Sequence, residues 1–255
     1  MDSQQQQVLD SIVRILRDCR SILFVTGAGI SADSGVPTYR GIGGLYDVEV
    51  TEEGLPIEEI LSGPMFQMNP ELTWKYLAQI ADAARGATFN RAHQVIAEME
   101  QHFLRVCTLT QNVDGFHRLA GSTNVIEIHG DMHSLSCTEC SFRVWLDGTE
   151  EVVVPPRCPE CSAVLRPDVV LFGEMLPEDA LSHLRRELEM VDIVISVGTS
   201  GLFPYIQEPV IAARAYGVPT VEINPGETVL SSAVDYRLAL GAAEALDEIW
   251  KRYAT

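Results

Sequence analysis

Ile22-Leu23-Phe24-Val25 runs almost directly into Gly27-Ala28-Gly29. So short and apolar a run fits a strand buried on both faces. A strand ending in a glycine turn that leads into a helix opens a βαβ unit. Five further apolar or β-branched runs, at 103–109, 125–128, 169–172, 193–197 and 219–223, repeat the strand signal. Helical periodicity lies between several of them, at 91–102, 178–190 and 207–216. It also covers 3–19, where Val8, Ile12, Ile15 and Cys19 share one face and Leu9, Val13 and Leu16 widen it. The alternation predicts an α/β fold, a doubly wound parallel sheet covered on both faces.

Two stretches break the rhythm. Residues 41–85 hold glycines, prolines and a helical pattern around Leu72, Tyr76, Leu77 and Ile80, without a clear strand. Residues 131–166 hold two cysteine pairs and the Pro155-Pro156 turn. Read as insertions that together form a smaller module, they leave 1–40, 86–130 and 167–255 for the large domain. The glycines of 41–63 read as a mobile lid. With 255 residues, 46% hydrophobic and 21% charged, the chain can bury a sizeable core without disulfide staples, and wholesale disorder is excluded.

Charge narrows the partners. Eighteen Lys and Arg stand against 36 Asp and Glu, a net charge of −18, and lysine occurs only at Lys75 and Lys251. Such a surface disfavours general polyanion binding, which gains from releasing phosphate counterions. In the cysteine-bearing stretch Arg143, Arg157 and Arg166 sit among Glu139, Asp147, Glu150, Glu151 and Glu160, which argues against nucleic acid there too. An acidic surface attracts lysine-rich polypeptides, or serves solubility alone. No apolar run reaches the roughly 18 residues of a membrane span. Met1-Asp2-Ser3 and Gln4 to Gln7 lack the cationic and apolar parts of a secretory leader, so a reducing, cytoplasmic setting is expected.

Several motifs carry chemistry. Gly27-Ala28-Gly29-Ile30-Ser31-Ala32 fits G-x-G-x-x-G/A, in which the first glycine permits the turn, the second admits a pyrophosphate and the small third residue packs helix on strand. Alone it also fits a βα turn that binds nothing. The acidic residue expected some 20 positions on is not clear, and Glu222 or Asn224, at the end of another strand, are better ribose candidates. Cys137-x-x-Cys140 and Cys158-x-x-Cys161, 17 residues apart, have the spacing of a tetrahedral thiolate zinc site. Four protein ligands leave no open coordination position, so the metal is expected to be structural. Cys19 and Cys107 read as core thiols, and His133 as a surface histidine. Gln111, Asn112, Val113 and Asp114 follow a strand, where they suit either an amide and sugar ligand or loop capping. His129-Gly130, also at a strand end, is placed like a general base, or is a structural histidine like the other candidates His93, His102, His117 and His183. Gly198-Thr199-Ser200-Gly201 suits phosphate oxygens or is a plain turn.

Together these fragments resemble the sirtuins, NAD-dependent protein deacylases. The signature Gly27 to Gly41, the Thr110 to Asp114 segment, His129-Gly130, the four cysteines, Gly198-Thr199-Ser200 and Ile223-Asn224 occur in the family's order, from about Ile22 to Leu246. The resemblance implies a Rossmann-like NAD-binding domain and a smaller module of zinc ribbon plus helices. NAD and an acyl-lysine protein or peptide would meet in the cleft between them. Gly27, Ala28, Gly29, Ile30, Ala32, Asp33, Pro37, Thr38, Tyr39 and Arg40 would serve the cofactor, with a tyrosine at 39 where the family usually has phenylalanine. Gln111 and Asn112 would lie at the nicotinamide ribose and Asp114 at the carboxamide, while Thr199, Ser200, Asn224 and Ala243 would line the phosphate and adenosine end, with Val113 and Gly198 also serving the cofactor. Val169, Val170, Phe172 and Gly173 would pair with the substrate peptide as an added strand. Asn112 and His129 would be the catalytic pair, and Cys137, Cys140, Cys158 and Cys161 the ligands of one structural Zn2+.

The implied reaction begins with attack of the acyl oxygen on C1′ of the nicotinamide ribose. That attack expels nicotinamide, and His129 would then deprotonate a ribose hydroxyl, which attacks the imidate carbon; the products are nicotinamide, free lysine and 2′-O-acyl-ADP-ribose. Protein ADP-ribosylation or NAD hydrolysis would share the first bond cleavage. A non-catalytic NAD-sensing zinc module is a third use of the fold, and Asn112 with His129 in their motifs argues against it. Relatives that remove succinyl or malonyl groups carry a Tyr-x-x-Arg pair in the helical insertion. Leu77 and Ile80 stand at those places here, which predicts preference for neutral acyl chains.

Overall fold

The computed structural model describes residues 3–38, 50–146 and 153–255. Its strands are β1 (Ser21–Thr26), β2 (Arg105–Thr110), β3 (Val125–Glu127), β4 (Gly130–Cys137), β5 (Arg143–Trp145), β6 (Leu165–Val169), β7 (Ile193–Val197), β8 (Thr220–Ile223) and β9 (Tyr236–Leu238). Its helices are α1 (Ser3–Asp18), α2 (Ile57–Ile60), α3 (Gly63–Met68), α4 (Pro70–Ala83), α5 (Arg91–Glu100), α6 (Phe116–Leu119), α7 (Glu178–Leu188), α8 (Pro204–Ala215) and α9 (Ala242–Tyr253).

Six strands form one parallel sheet in the order β3-β2-β1-β7-β8-β9. The chain winds outward from β1 to β3, then returns to β1's other side and winds outward again. The order therefore reverses between β1 and β7, the switch point beyond which ligands of such sheets bind. All residues of β1 and β7 are buried. Their two-residue period splits them between two cores. Ile22, Phe24, Ile193, Ile195 and Val197 face α1, α5 and α9, while Leu23, Val25 and Val194 face α7 and α8. Each such side chain contributes about 1.5–3 kcal/mol by leaving water.

The second sheet, β5-β4-β6, is antiparallel. It shares a third core with the helices before it: Leu135, Leu165, Val169 and Leu171 pack with Ile60, Phe66, Trp74 and Leu77. The Trp74 indole N–H donates to the Leu165 carbonyl at 2.8 Å, satisfying the polar edge of a buried ring. Side-chain caps start two helices of this region: Ser62 accepts from the Met65 amide for α3 and Asn69 from the Leu72 amide for α4. Among the described residues no helix is long and apolar enough to cross a membrane.

The structure departs from the sequence reading in several places. The glycine turn leads not into an α-helix but into two 3-10 turns, Ala28–Ile30 and Ala32–Ser34. Gly35 ends the second at φ +82°, and Pro37, which lacks an amide hydrogen, cannot extend a helix. The run 169–172 is not a strand of the parallel sheet. Val169 ends β6, and Phe172 bridges Ser62. Its alternating Val169 and Leu171 bury in the third core instead, and periodicity alone does not say which sheet a strand joins. His133, read as a surface histidine, is half-buried against Trp145 with its Nδ1 2.8 Å from Asp131 Oδ1, and the carboxylate raises its pKa.

Candidate active site

The loops after β1 and β7 interlock. The Gly27 amide donates to the Val197 carbonyl at 3.2 Å and the Gly29 amide to the Gly198 carbonyl at 2.8 Å. A β-carbon on Gly29 would lie 2.7 Å from the Gly198 Cα and O, and one on Gly198, which has φ +59°, 2.4 Å from Gly29 C and Ile30 N. The second glycine of the motif is therefore demanded by the facing loop as well as by any approaching ligand.

The polar residues after β2 cross-link these loops. The Gln111 side-chain amide donates to Thr199 Oγ1 at 2.7 Å. Asn112 Nδ2 reaches the Gly27 carbonyl and Ser31 Oγ, each at 3.2 Å, and Ser31 Oγ donates to Asp114 Oδ2 at 2.7 Å. Asp114 also accepts from the Phe116 amide at 3.1 Å, while burial raises its pKa against these hydrogen bonds. Asn224 Nδ2 donates to the Thr199 carbonyl at 3.2 Å. Four strand ends, those of β1, β2, β7 and β8, are thus held in one constellation before any ligand arrives.

His129 follows β3 and faces the same cleft. Its Nδ1 lies 3.0 Å from the Gln111 carbonyl and its Nε2 2.7 Å from the Tyr205 hydroxyl. A carbonyl only accepts, so Nδ1 carries the proton and Nε2 the lone pair. Burial lowers the imidazole pKa, opposed by the Gln111 hydrogen bond, which favours the neutral ring a general base needs.

The cleft measures about 880 Å³. Of the residues expected in the site, Gly27, Ala28, Gly29, Thr38, Gln111, Asn112, Val113, His129, Gly198, Thr199, Ser200 and Asn224 line it, together with Val169, Val170, Phe172 and Gly173. Leu77 and Ile80 line it too. Ile30, Ala32, Asp33, Pro37, Asp114 and Ala243 are not among its lining residues. The Ile30 side chain is buried in the core under α9, and Asp33 Oδ2 accepts the Ala243 amide at 3.1 Å. Glu222 is buried and engaged by Thr228, Ser231 and Arg237, so it ties a loop rather than facing a ribose. Tyr39, Arg40 and residues 41–49 of the expected lid lie outside the described residues.

Sequence reasoning missed Ser31 and Tyr205. Ser31 had a signal: a hydroxyl within an otherwise small and apolar turn, followed by Asn112 and Asp114 on a neighbouring strand end. Tyr205 had none, since its partner is 76 residues away in the chain.

The four cysteines of the second sheet converge. Their sulfurs all lie within 4.8 Å of one another, with Cys137–Cys161 at 3.4 Å, Cys140–Cys158 at 3.6 Å and Cys140–Cys161 at 3.7 Å. A tetrahedron of thiolates about 2.3 Å from zinc has edges of about 3.8 Å, so the donor set fits that ion. A second convergence, Cys107, His183 and Glu187, is already held by Arg105, which donates to both carboxylate oxygens of Glu187 at 2.6 and 2.8 Å.

The strand order and interlocked glycine loops define a Rossmann-type, dinucleotide-binding class of protein. The Sir2 family matches over residues 27–203, and the chain belongs to that family. It is 49% identical to NAD-dependent protein deacylase 2 of Pseudomonas aeruginosa over 255 residues, 98% of each chain. A Sir2 homologue solved as an NAD complex superposes with a TM-score of 0.85 at 36% identity, covering 96% of this chain and 93% of that one. A Sir2 structure with a p53 peptide and NAD+ superposes with a TM-score of 0.81 at 26% identity, covering 96% of this chain and 98% of that one. The resemblance read from the motifs is borne out.

Proposed function

We propose that this chain is an NAD-dependent protein lysine deacylase, yielding nicotinamide, deacylated lysine and 2′-O-acyl-ADP-ribose. The observation that carries the reading is His129, anchored on the Gln111 carbonyl with its basic nitrogen in the same cleft as the interlocked glycine loops. NAD, when bound, supplies an electrophilic ribose carbon, a nicotinamide leaving group and hydroxyls that receive the acyl group. Gly27, Ala28, Gly29, Gly198, Thr199, Ser200 and Asn224 would hold its phosphate and adenosine side, joined by Arg40 and by the Asp33–Ala243 corner. Gln111, Asn112 and Asp114 would orient the nicotinamide riboside. His129 Nε2 would take the hydroxyl proton. The cysteine module holds its zinc as a structural ion and has no place in the chemistry.

The acyl-lysine peptide would lie against Val169, Val170, Phe172 and Gly173. The amides of Val170, Leu171 and Phe172 are already used by the His129 carbonyl, the Glu174 carboxylate and the Leu61 carbonyl. The Gly173 amide has no hydrogen-bond partner among the described residues and is the donor left for an added strand. In this reading 1–40, 86–130 and 167–255 form the NAD domain, and 41–85 with 131–166 the smaller one, in a cytoplasmic enzyme.

Mass spectrometry of products from NAD and a panel of acyl-lysine peptides tests the reading. Nicotinamide release is expected only with acyl peptide, together with 2′-O-acyl-ADP-ribose, and His129→Ala is expected to abolish both while keeping fold and zinc. Release without peptide would instead indicate NAD hydrolysis, and a peptide gaining ADP-ribose mass would indicate transfer to protein.

A further inference from the structure

The basic nitrogen of His129 is already engaged. Because Nδ1 donates to the Gln111 carbonyl, Nε2 of the neutral ring can only accept, and the hydroxyl 2.7 Å from it belongs to Tyr205. The phenol is therefore the donor. Its proton stays in place at working pH, since burial pushes the Tyr205 pKa up to about 12.

Tyr205 is itself fixed. It follows Pro204 in the first turn of α8, and its ring stacks on Phe203 with centroids 5.4 Å apart and planes 13° apart. Both rings stand edge-on to the imidazole, with centroids at 5.8 and 6.1 Å. A backbone anchor at Nδ1 alone would leave the imidazole free to rock about its χ2 bond, whereas a second anchor at Nε2 removes that freedom.

We propose that Tyr205 is a positioning residue for His129, holding the imidazole with its Nε2 lone pair toward the cleft until a substrate hydroxyl takes the phenol's place. The proposal rests on the reading that His129 is the base. Because Tyr205 donates to the unprotonated nitrogen, it also stabilises the neutral ring. Protonating Nε2 would lose that bond and set two donors against each other. The other influences on the ring are burial and the Gln111 carbonyl. Among the described residues Tyr205 is the titratable group hydrogen-bonded to it, and no carboxylate or cation is hydrogen-bonded to the ring.

Tyr205→Phe tests this, since it keeps the stacked ring and removes only the hydroxyl. In the ligand-free protein, the His129 ring proton is assigned by its loss in His129→Ala and titrated by NMR. Its midpoint is expected to rise by about 0.5–1 pH unit in Tyr205→Phe, the worth of one hydrogen bond to the neutral form. The acid limb of kcat/KM with an acetyl-lysine peptide is expected to move the same way, so activity at the acid end falls several-fold more than at pH 8. Equal His129 midpoints in the two proteins would overturn the proposal. Absence of deacylation in the unmodified enzyme would instead strike the reading of the reaction, and the NMR arm would still decide the contact.

Discussion

Asp33 and Ala243 come from opposite ends of the chain and meet at one hydrogen bond, the aspartate Oδ2 accepting the Ala243 amide at 3.1 Å. Ala243 lies in the first turn of α9, whose preceding residue, Gly241, offers no side-chain cap. Asp33 therefore supplies from a distance the cap and negative charge that a helix N-terminus favours. Asp33→Ala is expected to cost about 1 kcal/mol. Thermal denaturation of the ligand-free protein should show a Tm lower by roughly 2–4 °C. An unchanged Tm would leave Asp33 with no part in holding α9.

The Gly29–Gly198 contact makes a stronger demand. Alanine at 198 would hold a left-handed conformation at φ +59° and press its β-carbon to 2.4 Å from backbone atoms of the facing loop. The conformation alone costs about 1–2 kcal/mol, and the clash adds to it by pushing the two loops apart. Gly198→Ala is expected to lower stability by about 2 kcal/mol or more and to abolish NAD binding measured by calorimetry. Wild-type affinity in this variant would show that the interlock does not shape the dinucleotide site.

Two neighbouring histidines set an acid limit. His93 and His117 are buried, with ring centroids 4.8 Å apart, and neither His93 Nε2 nor His117 Nδ1 has a partner among the described residues. Burial lowers the His93 pKa to about 4 and takes that of His117 well below its ordinary value. In the unfolded chain both protonate near about pH 6.5, so below that the unfolded state binds more protons. Stability is then full above about pH 6.5 and falls as the solution is acidified, by up to about 1.4 kcal/mol per pH unit for each ring. His93→Gln should blunt the fall. Glutamine at this position can still reach back to the Asn90 amide and complete the capping box that His93 Nδ1 now closes. Urea unfolding at pH 8 and pH 5 checks it: the variant should lose clearly less between the two. An unaltered loss would clear His93 of the acid sensitivity.

The zinc module should behave as a folding clamp. Cys158 is buried within the third core, whose members Leu61, Leu77 and Leu171 also line the cleft. Cys158→Ser is expected to lose the metal, lower the Tm and reduce turnover, although no zinc ligand lines the cleft. Zinc content by atomic spectroscopy, read beside the melting curve, checks it. Full stability in a zinc-free protein would contradict the structural role.

What the sequence made legible follows from periodicity and spacing. β1 and β7 are continuous apolar runs because both faces are covered, and the cysteine spacing names its metal whatever fold surrounds it. The amphipathic spacing of Ala242, Ala245, Leu246, Ile249 and Trp250 in α9 was present in the sequence but lay beyond the last strand read from it. β5 and β9 are three residues each, too short to show a period. β4 alternates poorly, with only Leu135 fully buried, because a bulge between Asp131 and Leu135 interrupts its pairing with β6. In the site, residues in one loop could be grouped by neighbourhood. Contacts made across the fold, such as Tyr205 on His129 or Asp33 on Ala243, leave no mark in local pattern.

Leu77 and Ile80 bear on which acyl group the cleft accepts. Both line it, Leu77 is buried, and the charged residues among its described lining are Glu58, Glu174 and Glu227, all acidic. A succinyl carboxylate placed there would lose its hydration and meet no described cation. Desolvation of an unpaired carboxylate costs several kcal/mol, and roughly 3 kcal/mol is about a hundredfold in rate. Acetyl or longer neutral acyl peptides are therefore expected to exceed succinyl peptide in kcat/KM by about two orders of magnitude. Leu77→Tyr combined with Ile80→Arg should narrow that gap at least about tenfold, because a guanidinium offers the carboxylate a bidentate partner. Kinetics on matched acetyl and succinyl peptides measure both effects. A native preference for succinyl peptide would overturn this reading of the acyl pocket, and an unchanged ratio in the double variant would place the acyl terminus elsewhere in the cleft.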